Sequence, residues 1–74
     1  MPAFERSAWY EIRIMEQIGE RTLAWFDEFT VTSTASGETV LAGQIADQSA
    51  LHGLLARIRD LNLTLISVNR VEKR

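Results

Sequence analysis

The 74-residue chain carries 8 Lys and Arg against 10 Asp and Glu, a formal net charge of −2, with 46% hydrophobic and 24% charged residues. That balance describes one globular domain rather than a disordered chain, and a mildly acidic one argues against a general nucleic-acid binder, which usually presents a basic face. No apolar run approaches the roughly 20 residues needed to cross a bilayer, and the absence of cysteine excludes disulfides, thiolate metal sites and cysteine nucleophiles.

The start, "MPAFERSAWYEIRI", has no basic segment followed by an apolar core, so no secretion signal is expected and the cytoplasm is the expected location. There is no repeat, linker or low-complexity tract; residues 1–74 read as a single domain, with residues 1–8 a loose N-terminal end. A domain of this size buries only about 60% of its unfolded surface, so association with a second copy would add missing core.

From Trp9 to Gln17 the pattern alternates. Tyr10, Ile12 and Ile14 share one face, and Glu11, Arg13, Met15 and Gln17 the other, the period of a strand with one side buried. After a turn at Gly19, "ERTLAWFDE" places Leu23 and Phe26 three apart and predicts a short helix of two turns or so, one that packing must hold. "FTVTSTASGETVLAGQIA" reads as a hairpin. Its first strand is rich in β-branched residues, Gly37 in "ASGE" supplies a turn position with positive φ, and the return strand runs from Thr39 to about Ile45. Gly43, inside that strand, signals a bulge or a close backbone contact.

"DQSALHGLLARIRDL" predicts the second helix. Asp47 suits the N-cap, and Leu51, Leu54, Leu55, Ile58 and Leu61 form one apolar stripe. Asn62 suits the left-handed position just past the helix end, with Leu63 folding back as its apolar partner. "TLISVNRV" completes the set as a last strand. The order β-α-β-β-α-β predicts an α+β fold of the ferredoxin-like type, a split βαβ unit with a four-stranded antiparallel sheet and two helices on one face. The short first helix fits that fold least well.

The segments "YEIRI", "WFDEFTVT", "DQSALHGLLARIRDL" and "LISVNRV", within residues 9 to 71, resemble those of a family of small bacterial and archaeal proteins known only as hypothetical. The resemblance implies a compact intracellular protein with no assigned activity, and it carries no catalytic residue over to this chain.

His52, the single histidine, has a ring whose ordinary pKa would suit acid–base work. It lies about 100° around the helix from Leu51, at the border of the apolar stripe, and no orienting partner or nucleophile sits at a telling spacing. A structural or solvated role is the plainer reading, over an enzyme using His52 with Asn69 or Arg70. No His, Asp and Glu spacing matches a metal site, and "GETVLAGQ" lacks the pattern of a phosphate loop. No catalytic, metal or cofactor residue is therefore assigned. "NLT", residues 62–64, matches a glycosylation sequon, but the helix-capping reading of Asn62 is preferred. Arg57 and Arg59 diverge by about 200° on the helix, and with Arg70, Lys73 and Arg74 they read as solvated surface. The outward positions Glu11, Arg13, Met15 and Gln17 carry no ring for base stacking. Nucleic acid is an unlikely partner on these grounds, and a membrane is not expected to be one. Trp25, off the buried side of the short helix, could anchor a binding partner, but the plainer expectation is that it covers the hairpin edge and the end of the core.

The sheet face without helices carries the main expectation. If Tyr10, Ile12 and Ile14 face the helices, Trp9 and Met15 face away. If Leu41, Ile66 and Val68 face inward, then Val40, Ala42, Leu65 and Val71 face out, with Ser67 and Asn69 among them. Such an apolar admixture usually marks an interface, and a two-fold dimer is the commonest closed solution. Trp9, Met15, Val40, Leu65 and Val71 are the candidate interface residues of a non-enzymatic domain that self-associates, as a homodimer, or binds a protein partner. The alternative is a regulatory domain binding a small ligand at a dimer interface, an analogy at the level of the fold. "IGERTLAWF" lacks the Asp–Pro–Gly style turn that amino-acid-sensing domains of this kind share.

Overall fold

The computed structural model describes residues 8–71. Of the expected loose N-terminal end, residues 1–7 lie outside that range. Ale8 is not loose.

 Instead, Ala8 opens the first strand and is partly buried against the core.

The elements in chain order are β1 (Ala8–Ile14), α1 (Glu20–Leu23), a 3₁₀ turn (Ala24–Phe26), β2 (Thr30–Ser33), β3 (Thr39–Ile45), α2 (Gln48–Asp60) and β4 (Leu65–Val71). The four strands form one sheet in the order β2-β3-β1-β4, and every neighbouring pair is antiparallel. β3 lies between β1 and β2, which α1 connects, and β1 lies between β3 and β4, which α2 connects. Two interleaved split βαβ units result, an α+β fold of the ferredoxin-like type.

The strand alternation is realised in the burial. Ile12, Ile14 and Leu41 are fully buried, and Tyr10, Ile45 and Phe26 join them with Leu51, Leu54 and Ile58 of α2 in one core. One sheet face therefore meets the helices, and burial of these side chains, about 1.5–3 kcal/mol each, is the main driving force for the fold. Thr39 is the single buried polar residue among the described residues, and its hydroxyl donates to the Glu16 carbonyl at 2.7 Å. That bond removes the penalty of burying an unpaired hydroxyl.

α2 begins and ends as its residues dictate. Asp47 is extended, and its carboxylate accepts from the Ala50 amide at 2.8 Å. At the other end Asn62 has a φ of 62°, the Leu63 amide donates to the Ile58 carbonyl at 3.1 Å and the Asn62 amide to that of Arg59 at 2.9 Å. These are the two bonds of a Schellman motif, and Leu63 packs against the core as its apolar partner.

The first crossover is weaker than a two-turn helix. α1 is a single turn with no side-chain cap, and the chain then tightens into the 3₁₀ turn. Phe26, wholly buried, anchors it. Phe29 adds a second anchor over β3. A Cβ at Gly43 would lie 2.4 Å from Phe29 Cδ1, so the ring occupies the space that any other residue would need. Gly43 is thus a site of close approach and not a bulge; its register with Tyr10 is regular. The β2–β3 turn forms as "ASGE" predicts, with Gly37 at φ 91° and the Glu38 amide donating to the Thr34 hydroxyl at 3.1 Å.

Candidate interaction surface

The register fixes which side chains share the face away from the helices. Across the sheet from β2 to β4, Thr32, Val40, Arg13 and Ser67 make one row, and Thr30, Ala42, Glu11 and Asn69 the next. Gln44, Trp9 and Val71 make the third. Trp9 and Val71 are direct neighbours, both half-buried, and form an apolar end. Val40, also half-buried, stands about 13 Å from the Trp9 row along the strands, four residue steps away. Between them lies the polar row centred on Glu11 and Asn69. Arg13 bridges to Glu38 at 2.9 Å across the β1–β3 boundary. Both partners are partly exposed, so the pair contributes little to stability.

The five candidate residues therefore do not form one continuous patch. Trp9 and Val71 come together, and Val40 lies apart from them. Met15 lies just beyond the end of β1 and not within it, 55% exposed, beside Leu65, which is 43% exposed. The Met15 amide donates to the Thr64 carbonyl at 2.9 Å, which places the two at the same end of the sheet. A register shift at Arg13/Ile14 then brings Leu65 opposite the buried Ile14. The alternation that put Leu65 on the outer face does not run through that irregularity. Ile66, expected on the inner row, is 41% exposed because β4 is an edge strand and the shift falls at its start.

Below this end the chain is tied across a long separation. Glu16 accepts from the Thr64 hydroxyl at 2.6 Å through Oε2 and from the Thr64 amide at 2.8 Å through Oε1. Chiefly the hydroxyl, then the amide, holds the Glu16 carboxyl below its ordinary pKa of 4.5. Hydrogen bonds to the charged form favour it.

His52 is exposed on α2. Neither of the two grooves described below includes it, and among the described residues no group of three or more His, Cys, Asp or Glu could hold a metal. Arg57 and Arg59 diverge as expected. Arg59 pairs with the adjacent Asp60 in solvent, whereas Arg57 Nη1 donates to the Trp25 carbonyl at 2.7 Å.

That bond brings the first crossover against α2 and corrects the expected place of Trp25. The indole is 57% exposed and lines a groove of about 340 Å³ with Gly53, Ala56, Arg57, Asp60 and Leu61. It therefore borders α2 and does not cover the hairpin edge. A second groove of about 300 Å³ runs on past Gly53 and Arg57 toward Phe29 and Ile45. The sequence signal for these grooves is Gly53, a glycine in a helix interior, where it is less favourable than alanine. Nothing lies within 4 Å of a Cβ built there.

The family model described as "Domain of unknown function (DUF8691)" matches residues 9–69. The chain belongs to this family. The match takes in both helices and all four strands except Ala8 of β1 and the last two residues of β4. No curated protein and no solved structure matches the chain. No helix among the described residues is long and apolar enough to cross a membrane.

Proposed function

We propose that this member of the family is a small, cytoplasmic, non-enzymatic interaction domain that self-associates as a homodimer, or binds a protein partner, through the open face of its sheet. The observation that supports the reading is the pairing of Trp9 with Val71 at one end of a face with Val40 and Ala42 on its neighbouring strand. Tryptophan beside an aliphatic residue, with a polar surround, has the composition of an interface centre. The polar row of Glu11 and Asn69 restricts the occupant to a surface that is apolar at its margin and hydrogen-bonding at its middle. The small size of the domain favours such association, since each additional apolar Å² removed from water contributes roughly 25 cal/mol.

Sedimentation equilibrium from micromolar to sub-millimolar concentration tests the self-association. A dimer is expected for the native chain, and Trp9→Glu together with Val40→Glu is expected to weaken it. A monomer throughout that range overturns the homodimer reading, and a dimer indifferent to both substitutions places its interface elsewhere.

A further inference from the structure

The two edges of the sheet differ in a way that points to a specific association. β2, on one edge, is four residues long, carries Thr30, Thr32 and Ser33, and runs into a tight turn. Short polar edges of this kind are poor templates for another strand. β4, on the other edge, is seven residues long and reads Leu-Ile-Ser-Val-Asn-Arg-Val. Among the described residues no strand lies on its outer side. It contains no proline, no lysine and no acidic residue, and its single charge is Arg70. The register irregularity is confined to its first residues, so the run from Ser67 to Val71 pairs regularly with β1.

The sequence of β4 is also self-complementary when reversed about its centre. With Val68 on a two-fold axis, an antiparallel second β4 sets Val68 against Val68, Ser67 against Asn69, Ile66 against Arg70 and Leu65 against Val71. Ser67 meets Asn69, polar against polar, on the outer face, and Val68 meets its own copy on the inner face, with Ile66 against Arg70 the one unlike pair. The two Arg70 side chains fall four residue steps apart, about 13 Å, beyond the Debye length at physiological salt. A two-fold axis on Arg70 would instead set the two charges directly opposite, which is destabilising.

We infer that two copies of this chain pair through their β4 edges, antiparallel and centred on Val68, to form one continuous eight-stranded sheet. Each copy supplies its longer, less protected edge, and the short β2 edges remain outermost. The assembly closes as a dimer and does not extend into a fibre, because an isologous contact uses up the surface that made it. Backbone hydrogen bonds along the shared edge provide the affinity, and the side-chain pairs set the register. This pairing does not depend on association through the open face.

The absence of cysteine from the chain makes cross-linking a direct test. Across the axis the two residues 68 would have Cα atoms about 4.5–5.5 Å apart, within the roughly 4.4–6.8 Å that a disulfide spans. Val68→Cys is expected to form a covalent dimer rapidly under mild oxidation, and Arg70→Cys to form little, with circular dichroism confirming that both fold. Hydrogen exchange on the native chain supplies a readout free of substitution, with β4 amides gaining protection as concentration rises. Cross-linking at position 68 no faster than at position 70, or β4 protection independent of concentration, overturns the pairing. Val40→Glu separates the two proposals, since Val40 is on β3, two strands from the β4 edge. Cross-linking of Val68→Cys that persists in the Val40→Glu background upholds edge pairing even if open-face association fails. Its loss in that background overturns edge pairing in favour of the face.

Discussion

The two crossovers of this small domain solve the same problem with unequal means. α2 runs for 13 residues, is capped by Asp47, is closed by a Schellman motif at Asn62, and presents Leu51, Leu54 and Ile58 to the core. The first crossover has a four-residue helix and a three-residue 3₁₀ turn, no side-chain cap, and one wholly buried side chain, Phe26. α2 is specified locally, by caps and by periodicity. The first crossover is held from outside, by Phe26 in the core, by Phe29 over Gly43 and by Arg57 reaching to the Trp25 carbonyl. A helix too short to be stable alone takes its conformation from what it packs against.

That contrast sets the order of the mutational effects. Phe26→Ala should be the most damaging, since it removes the sole full anchor of the first crossover and leaves a cavity. The expected loss is roughly 3–5 kcal/mol by urea denaturation, a large share of the stability of a domain this small. A loss under about 1 kcal/mol would mean that the first crossover is held by its neighbours and not by Phe26. Asp47→Ala should cost about 1 kcal/mol, a fall in melting temperature of roughly 4–8 °C. The leucine stripe keeps α2 in place without its cap, so the fold should survive.

The smallest effect concerns the tie between two loops, the one after β1 and the one after α2, made by Glu16 and Thr64. The folded-state pKa of Glu16 is depressed, so its contribution is present above the ordinary value of 4.5 and is lost as pH falls through the lower folded value. Glu16→Gln should therefore flatten the decline of melting temperature below that value, and leave the lower end of the profile, where the native carboxyl is protonated, nearly unchanged. Equal slopes for the native and variant chains in acid would show that the tie contributes nothing to folding.

Much of the fold was legible because its signals are local. A period of two over Tyr10, Ile12 and Ile14, a helical stripe from Leu51 to Leu61, Gly37 in a turn and Asn62 past a helix end each act within a few residues. The candidate surface was less legible. Periodicity placed Trp9, Val40 and Val71 on one face, but it could not measure the polar row between them or foresee the register shift that displaces Leu65. Trp25 was misplaced for a related reason. Helical periodicity showed that it lay off the buried side, but its neighbour is Arg57, 32 residues along the chain.

By itself the sequence determined the elements, their caps and the α+β class, because alternation, stripe and cap chemistry are settled between residues close in the chain. Only the tertiary structure decided which strands are edges, how far apart the apolar ends of the open face lie, and why Gly43 must lack a side chain. Those features depend on pairings between distant segments, such as Tyr10 with Gly43 and Trp9 with Val71. No local rule counts the residues between two strands that meet, and a shift of one residue moves a side chain from one face of the sheet to the other.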